Sequence, residues 1–357
     1  MRVVLTGGGT GGHIYPLLAV AAAAKDWQAS FVGSPGGLEA QIVPRSGLPF
    51  YAVMSGGVRG KSLPVRLRSL LRSGVGVLAA VRLLGRLRPD VVVSSGGYAA
   101  LPVTFAARLR RIPLALIEPN ATPGLANRVA ARHASRILIA YEAARDALPR
   151  DLRQRAVVTG VPVLGRRQVA REEARRALGM REDAVLVAVT GGSQGAHALN
   201  AAVCGLSPLL GPDERVLLAT GQREHDLWAR EASERLRIEP YFWDMAAVLA
   251  AADVFVGRAG AMTCAEILCA GLPSVLVPLP NPAVHQDTNA QVLAAAGAAV
   301  VLPEDRLTPE ALWREIAAIA RDPGRRRDMA AAALGLARPD AARAAAREIS
   351  RLGGRLG

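Results

Sequence analysis

The chain has 357 residues, of which 51% are hydrophobic and 21% charged, with a formal net charge of +14. This length exceeds what one hydrophobic core usually holds, so two domains are expected, and the hydrophobic content excludes a disordered chain. Aromatic residues make up only 4%, which favours sheets covered by aliphatic helices over an aromatic-rich β-sandwich. The positive charge points to an anionic partner such as nucleic acid, anionic lipid or a phosphorylated substrate.

Strand-like and helix-like segments alternate along the first half of the chain. Short apolar runs bounded by Gly, Pro or polar residues predict buried strands, and the alanine- and leucine-rich stretches between them predict helices. This alternation is typical of a doubly wound parallel sheet and indicates an α/β fold. Strands are predicted at Val3–Thr6, Ala29–Val32, Phe50–Met54, Val91–Val93, Leu114–Ile117, Ile137–Ile139 and Val157–Thr159, and helices at about Pro16–Lys25, Val65–Leu87 and Pro102–Leu109.

The second half repeats both the alternation and one motif. The first glycine loop (Gly7–Gly12) has a counterpart 184 residues later in the second glycine loop (Gly191–Ala196). Each loop follows an apolar strand and opens a helix, so we predict two Rossmann-like domains, at residues 1–160 and 161–338. A helix predicted at Pro339–Leu352, within the last segment 339–357, can pack back on the first domain or on the second. The strands predicted here are Val185–Thr190, Val216–Ala219, Ile238–Phe242, Val254–Val256 and Ser274–Val277.

The N-terminus and the cysteines both indicate a cytoplasmic protein. Met1 leads almost directly into the first strand without a signal peptide, and the best apolar run, Ile14–Ala24, is broken by a proline and too short to span a bilayer. The cysteines are odd in number and contain no C-x-x-C pair, which argues against a disulfide framework or a zinc site. They are Cys204, Cys264 and Cys269.

The segment Ala40–Pro89 is basic and aliphatic. It contains no Asp or Glu, but nine Arg or Lys residues interleaved with Leu and Val. This composition is more typical of a membrane-surface patch than of a platform for stacking bases. An ordinary amphipathic helix with a solvated arginine face fits the pattern equally well.

The first glycine loop satisfies G-x-G-x-x-G through Gly7, Gly9 and Gly12, a pattern that is weak evidence alone. It predicts a backbone that approaches a phosphate or another anion at a helix N-terminus. An NAD site needs an acid at the end of the second strand, and Glu39, the nearest candidate, is poorly placed. His13 follows the loop, where it suits removal of a proton from a sugar hydroxyl, although a structural role is the usual one for a lone histidine.

The second half offers groups suited to a sugar nucleotide. The second glycine loop adds the side chains of Ser193 and Gln194 to its backbone N–H groups, a set that suits a diphosphate or a ribose. Thr263 and Glu266 share one face of a predicted helix, and a carboxylate there can accept two ribose hydroxyls or simply complement the helix dipole. Arg258 can neutralise phosphate or hold its loop by a salt bridge.

Six motifs, in order, resemble the MurG family, whose members add N-acetylglucosamine from UDP-N-acetylglucosamine to lipid I. The match runs from about residue 3 to residue 300. The resemblance implies a GT-B fold with two Rossmann-like domains facing across a cleft, an inverting mechanism, and no metal or other cofactor. It also implies an anionic membrane surface bound through the Arg59–Arg88 region and no nucleic-acid partner. The motifs are Gly8–His13, Gly96–Tyr98, Glu118–Asn127, Gly191–Ala196, Arg258–Glu266 and His285–Ala290.

The resemblance assigns the site residues as well. It makes His13 the catalytic base, with Glu118 as the alternative, and both line the acceptor side together with Asn120. Phe242 is expected near the uracil. Donor-binding residues are Thr10, Gly11, Gly12, His13, Asn120, Ser193, Gln194, Phe242, Arg258, Ala261, Met262, Thr263, Glu266 and Gln286, and acceptor-binding residues are Gly9, Thr10, Tyr98 and Asn127.

The chain departs from the family pattern at two motifs. Where the family has Asn-Pro-Val-Arg, this chain has Val161–Leu164, so the contact made by that arginine is absent or comes from Arg166 or Arg167. Where the family often has His-Glu-Gln-Asn, Ile117 and Pro119 replace two of the four. The carboxylate and the asparagine are retained, but the geometry on the acceptor side is less well defined.

The predicted reaction is direct displacement at the anomeric carbon. The acceptor 4-hydroxyl attacks as UDP leaves, giving lipid II for peptidoglycan synthesis at the cytoplasmic face of the membrane. The alternatives are a UDP-sugar epimerase or another glycolipid glycosyltransferase of the same fold. An NAD oxidoreductase is favoured only by the glycine pattern, and a nucleic-acid-binding module only by net charge.

Overall fold

The computed structural model describes residues 1–56, 63–164 and 169–354, without the side chains of residues 63–72 and 283. The chain forms two compact units, Met1–Gly165 with Arg338–Gly357, and Arg166–Ala337. Each unit contains one parallel sheet covered by helices, so the predicted α/β fold is confirmed. Within the described residues, no helix is both long enough and apolar enough to cross a bilayer.

The sheet of the first unit has seven parallel strands in the order β3-β2-β1-β4-β5-β6-β7. The central strands β1, β4 and β5 are buried along nearly their whole length, as expected when helices cover both faces of a sheet. They are β1 (Arg2–Gly7), β2 (Gln28–Gly33), β3 (Phe50–Ala52), β4 (Val91–Gly96), β5 (Leu114–Glu118), β6 (Arg136–Ile139) and β7 (Ala156–Val158).

The sheet of the second unit has six parallel strands in the order β10-β9-β8-β11-β12-β13. Its central strand pairs with β9 from Val185 to Thr190 and with β11 from Val187 to Thr190. The strands are β8 (Val185–Thr190), β9 (Glu214–Ala219), β10 (Leu236–Glu239), β11 (Val254–Gly257), β12 (Ser274–Leu276) and β13 (Ala299–Val301).

The helices follow the strands in the predicted alternation. The helix after the first glycine loop begins at Gly11, earlier than the predicted start at Pro16, because the two glycines carry no side chains that could show helical periodicity. The helices are α1 (Gly11–Ala23), α2 (Glu39–Ile42), α3 (Leu63–Leu87), α4 (Leu101–Leu109), α5 (Leu125–Ala131), α6 (Glu142–Asp146), α7 (Arg150–Arg153), α8 (Arg171–Ala177), α9 (His197–Cys204), α10 (His225–Trp228), α11 (Met245–Ala251), α12 (Ala261–Ala270), α13 (Gln286–Ala295), α14 (Pro309–Ala320), α15 (Pro323–Leu336) and α16 (Ala341–Leu352).

Several strand ends differ from the prediction by two or three residues, and one strand was missed; two of these differences have clear local reasons. β10 ends at Glu239 rather than Phe242, because Pro240 has no N–H with which to continue the ladder. β13 was not predicted, since three residues, Ala299–Val301, after a glycine-containing turn are too few to show a strand pattern.

The last helix, α16, belongs to the core of the first unit. Leu5 of β1 and Ile14 of α1 share a cluster with Ile349 of α16, whereas the alternate strand residue Val4 packs on the opposite face of the sheet against α3 and α4. The indole N–H of Trp27 also donates to Ser350 at 3.2 Å. The C-terminal segment therefore completes the unit that the N-terminal segment begins.

The three cysteines are free thiols. Burial raises the pKa of Cys264 to about 12. Burial, with a smaller effect of Glu231, raises the pKa of Cys204 to about 11. Both side chains therefore act as small apolar groups rather than nucleophiles at neutral pH. Within the described part of the chain, no three His, Cys, Asp or Glu side chains are grouped to hold a metal ion.

Candidate functional site

Each sheet has one switch point, where the connections leave two neighbouring strands in opposite directions. In the first unit it lies between β1 and β4, and in the second between β8 and β11. Ligands of doubly wound folds bind at the carboxyl ends of the strands beside such a point. The two glycine loops follow β1 and β8, so the repeat seen in the sequence places one loop at each switch point.

His13 is held at the first switch point by two contacts with Ser95 at the end of β4. Its Nδ1 lies 2.8 Å from the Ser95 carbonyl oxygen, and the Ser95 hydroxyl donates to the His13 carbonyl. A carbonyl only accepts, so Nδ1 carries the proton and Nε2 is the basic nitrogen of the neutral ring. Gly7 permits this approach, because a Cβ there would stand 2.3 Å from Ser95 Oγ.

The electrostatic surroundings of His13 favour the neutral imidazole. Burial lowers its pKa below the ordinary value of 6.5, and the bond to the Ser95 carbonyl opposes this only in part. A ring with its tautomer fixed and its charged form disfavoured is suited to accept a proton at neutral pH. This arrangement is what a general base requires.

Glu118 differs from His13 because its oxygens are already engaged. One oxygen accepts the backbone and side-chain N–H groups of Asn120, at 2.9 and 3.0 Å. The other accepts the N–H of Gly124 at 3.0 Å and the amide of Asn127 at 2.9 Å. Burial raises the pKa of Glu118 and the four hydrogen bonds lower it, with burial the larger effect. All four partners donate, so the geometry suits the ionised carboxylate and organises the loop after β5.

The other acceptor-side residues lie around the same switch point. The Asn127 amide donates to the Ile117 carbonyl at 3.1 Å as well as to Glu118, and its Oδ1 is buried without a partner. The ring of Tyr98 is partly exposed and lies beside Gly9, where a Cβ would stand 3.2 Å from it. Thr10 occupies the N-cap position of α1 without a side-chain cap bond. These residues frame the loop that presents His13.

At the second switch point, the glycine loop is held by contacts at Gly192 and Gly195, and the residues between them are exposed. The Thr190 hydroxyl accepts the N–H of Gly192 at 3.1 Å, and Gly195 packs on the Thr220 carbonyl so closely that a Cβ would stand 2.4 Å from it. Ser193 and Gln194, between these anchors, are exposed. The loop therefore offers an exposed hydroxyl and an exposed amide on a rigid base.

Arg258 is committed to its own unit. Its guanidinium donates to the Val277 and Pro278 carbonyls at 3.1 and 3.2 Å and pairs with Glu304. Its side chain is only 11% exposed. Of the two roles predicted for Arg258, holding its loop is the one these contacts support.

The remaining donor-side candidates lie near the carboxyl ends of β11 and β12. Helix α12 begins at Ala261 after the N-cap Gly260, with no side-chain cap bond and no acid in its first turn, which leaves its N-terminus suited to an anion. Met262, Thr263 and Glu266 of this helix are partly buried. Gln286 begins α13, and its Oε1 accepts the N–H of Leu279 at 2.9 Å.

Phe242, predicted near the uracil, is largely buried. It is 6% exposed, whereas its neighbours Tyr241 and Trp243 are 37% and 80% exposed and pack edge to face. Its predicted contact with the uracil stays a prediction. In Val161–Leu164, where the chain departs from the family pattern, Leu164 is exposed. Arg166 and Arg167 lie outside the described residues.

Three residues escaped the sequence interpretation. Ser95 acts on His13 through its backbone carbonyl. Every residue has such a carbonyl, so the sequence could not single this one out. Glu304 lies 46 positions from Arg258, and nothing in the sequence links the two. Glu39 was considered only as a ribose ligand, whereas its side chain is fully buried beneath the first glycine loop.

Two doubly wound parallel sheets, each with a glycine loop at its switch point, form the architecture of the GT-B fold. The chain belongs to glycosyltransferase family 28: the N-terminal domain of that family matches residues 3–139, and its C-terminal domain matches residues 186–346.

Full-length relatives agree with this assignment. The chain is 40% identical over 358 residues to the "UDP-N-acetylglucosamine--N-acetylmuramyl-(pentapeptide) pyrophosphoryl-undecaprenol N-acetylglucosamine transferase" of Desulforudis audaxviator, covering 96% of this chain and 95% of that protein. The structure of this chain resembles that of Acinetobacter baumannii MurG with a TM-score of 0.80, at 28% identity over 98% of this chain and 99% of that chain. A UDP-GlcNAc 2-epimerase from Neisseria meningitidis shares only the fold, with a TM-score of 0.68 at 12% identity over 96% of this chain and 98% of that chain.

Proposed function

We propose that this chain transfers N-acetylglucosamine from UDP-N-acetylglucosamine to the 4-hydroxyl of N-acetylmuramyl-(pentapeptide) pyrophosphoryl-undecaprenol. The hydroxyl oxygen bonds to the anomeric carbon, the bond from that carbon to the diphosphate breaks, and UDP leaves with inversion. His13 Nε2 takes the hydroxyl proton. The observation that carries the proposal is the 2.8 Å contact from His13 Nδ1 to the Ser95 carbonyl, in a chain of this family, because it leaves Nε2 basic.

In this proposal, Glu118 is not the base. Both of its oxygens already accept two N–H groups each, and a proton delivered to either would displace one of them. Glu118 instead orders the segment from Asn120 to Asn127, which faces the acceptor together with Tyr98 and Thr10. The first unit, Met1–Gly165 with Arg338–Gly357, is thus the acceptor unit.

The second unit, Arg166–Ala337, holds the donor. The N-terminus of α12 and the second glycine loop take the diphosphate, where N–H groups and the helix dipole stabilise the charge that grows as UDP leaves. Glu266 accepts the ribose hydroxyls, and Gln286 contacts the sugar nucleotide from the start of α13. Arg258 supports this site by holding the loops after β11 and β12 together.

The acceptor is carried by a lipid, so the enzyme works at the cytoplasmic face of the membrane as a peripheral protein. Helices α3 and α4 pack together, and each exposes large apolar side chains, because Val75, Leu78 and Leu109 are 62%, 59% and 66% exposed. Exposed apolar surface of this kind supports a membrane contact. Arg59 and Lys61, and the side chains of Arg66, Arg68 and Arg72, lie outside the described residues.

A cationic cavity of about 440 Å³ lies at the C-terminal end of α4. It is lined by four arginines and His133, with no acid among its lining residues. Burial and then the nearby Arg108 lower the pKa of His133, as expected in uncompensated positive surroundings. Anionic phospholipid headgroups match the positive charge of this cavity. The product of the proposed reaction, lipid II, would serve cell-wall synthesis and with it cell shape and division. The arginines are Arg108, Arg111, Arg132 and Arg155.

The decisive experiment combines binding with turnover. Isothermal titration of UDP should give saturable binding that Glu266→Ala weakens about tenfold or more. Glu310→Ala, which changes an exposed glutamate at the start of another helix of the same unit, should leave binding intact. Release of UDP should require an acceptor that presents the N-acetylmuramyl 4-hydroxyl, either lipid-linked or as a water-soluble analogue.

Three results would contradict the proposal. A protein that binds no uridine ligand cannot use this donor site. Conversion of UDP-N-acetylglucosamine to its 2-epimer without an acceptor, followed by NMR, would favour an epimerase instead. Tight, salt-sensitive binding to random DNA without affinity for UDP would favour a nucleic-acid-binding role.

A further inference from the structure

Glu39 is a fully buried acid that the reaction described above does not use. It is the first residue of the short helix α2, and its side chain is 0% exposed. One carboxylate oxygen accepts the N–H of Ser34 at 2.9 Å, and the other accepts the N–H of Gly9 at 3.2 Å. Among the described residues, no Lys, Arg or His pairs with it. The first glycine loop is therefore tied to a buried carboxylate.

Three glycines from different segments make room for this carboxylate. A Cβ at Gly8 would stand 2.5 Å from the carboxyl carbon, and a Cβ at Gly37 would stand 2.3 Å from one of its oxygens. At Gly33, the end of β2, a Cβ would stand 2.6 Å from Glu39 Cγ. Any larger residue at these positions would have to displace the acid, so the local sequence is built around Glu39.

Burying a carboxylate without a cation is unfavourable unless its oxygens are hydrogen-bonded. Here the two hydrogen bonds go to loop backbone, and one of them fixes Gly9, whose positive φ of 89° an L side chain would rarely adopt. Gly9 is followed by Thr10, the N-cap of α1, and the Thr10 carbonyl accepts the N–H of His13 at 3.1 Å. Glu39 thus sets the path of the backbone that leads to His13.

We propose that Glu39 is a positioning residue for proton transfer by His13. This inference rests on the proposed function, in which His13 is the base. Glu39 touches no substrate; it fixes the first glycine loop from beneath, so that the imidazole keeps its contact with the Ser95 carbonyl and its Nε2 faces the acceptor hydroxyl. A misplacement of about 1 Å at such a site costs about 100-fold in rate.

The test compares Glu39→Gln with a matched control in the full-length protein. Glutamine keeps the size of the side chain but turns an N–H donor toward one of the two backbone N–H groups. The control is Glu214→Gln, because Glu214 is also buried and also accepts a loop N–H, that of Gly211 at 2.6 Å, but lies in the second unit. Both variants should lower Tm.

Only Glu39→Gln should lower kcat, by about 100-fold, with the KM for UDP-N-acetylglucosamine and the Kd for UDP unchanged. In ¹⁵N-histidine NMR, His13 should lose its single Nδ1–H tautomer in this variant. Equal loss of kcat in both variants, or a Glu39→Gln enzyme with normal kcat, would overturn the inference. If Glu39→Gln does not fold, Gly37→Ala displaces the same carboxylate without removing it and should give the same loss.

Failure of the inference is separable from failure of the proposed function. A wild-type protein that transfers the sugar while Glu39→Gln matches it in kcat keeps the function and rejects the positioning role. A wild-type protein without transfer rejects the function, and the NMR comparison then still decides whether Glu39 holds the His13 ring.

Discussion

At His13, a backbone carbonyl determines which nitrogen takes the proton, and burial determines when the ring is neutral. Burial lowers the pKa of His13 below 6.5. The folded protein therefore binds fewer protons at this residue than the unfolded chain as the pH falls through 6.5. Stability from the neutral ring is present above the unfolded pKa and is lost as the solution becomes acidic. In the proposed reaction, activity follows the same direction, because only the neutral ring can accept the hydroxyl proton.

We expect kcat/KM to fall on the acid side with an apparent pKa below 6.5, measured under steady-state conditions across pH. His13→Gln should lower kcat about 100-fold to 10,000-fold while UDP binding persists. Glu118→Gln is the comparison: it should lower Tm, because an amide N–H replaces an acceptor, but leave the position of the acid limb unchanged. An acid limb that disappears in Glu118→Gln and persists in His13→Gln would make Glu118 the base.

At this scale, the sequence identified residue types better than their partners. His13 and Asn127 stand in motifs, so they could be named, and the structure places both near Ser95. Glu39 could not be assigned, because the first glycine loop, with Gly8 and Gly9, meets it only in the folded chain. The burial of Phe242 was equally hidden, since its neighbours in sequence are also aromatic.

Among the elements, the loops after β11, β12 and β13 are joined by one guanidinium. Arg258 follows β11, its carbonyl partners Val277 and Pro278 follow β12, and Glu304 follows β13. Strand ends in a parallel sheet hold their loops only through such contacts. The donor-side loops of the second unit therefore depend on this arginine for their relative positions.

We expect Glu304→Gln to weaken UDP binding several-fold and to lower Tm by about 3–6 °C, because one charged hydrogen bond of about 1–3 kcal/mol is lost. Calorimetry measures both. Glu214→Gln, which breaks the pair with Arg321 in the same unit, should lower Tm without weakening UDP binding. Tighter UDP binding in Glu304→Gln would show instead that the released Arg258 reaches the phosphates.

The elements themselves followed from the sequence more fully than their ends. Apolar runs such as Val185–Thr190 matched their strands, because both faces of a parallel strand are buried and the run is continuous. Boundaries failed where the side chains carry no pattern, as at Gly11, or where the backbone chemistry decides, as at Pro240. β13 is too short to show a strand pattern in the sequence.

In the whole molecule, the first unit carries both the arginine-lined cavity and the exposed apolar side chains of α3 and α4. We expect the protein to bind vesicles of phosphatidylcholine with phosphatidylglycerol in a sedimentation assay, and Leu109→Glu to weaken partition about tenfold by losing apolar contact and adding a repelled charge. Leu227→Glu, a change at a similarly exposed leucine in the second unit, is the control. Transfer to a water-soluble acceptor should be unaffected. Equal partition of both variants would place the contact elsewhere.

The tandem repeat made the two-unit architecture predictable, but not the place of the last helix. The glycine loops recur at a fixed spacing, and each marks the first turn of a unit. The segment after Ala337 has small apolar residues on one face that could pack on either unit, so the sequence left its position open. In the folded chain, Gly160 packs against Arg338 and Ala341, and α16 lies on α1.

The return of α16 sets an order for biosynthesis. The N-terminal sheet leaves the ribosome first, yet the helix that covers Leu5 and Ile14 is translated only after the whole second unit. Synthesis of the intervening 166–337 segment takes about 10–30 s. Throughout that interval the nascent chain carries an uncovered hydrophobic face, and transient surfaces of this kind are prone to aggregation and are bound by chaperones.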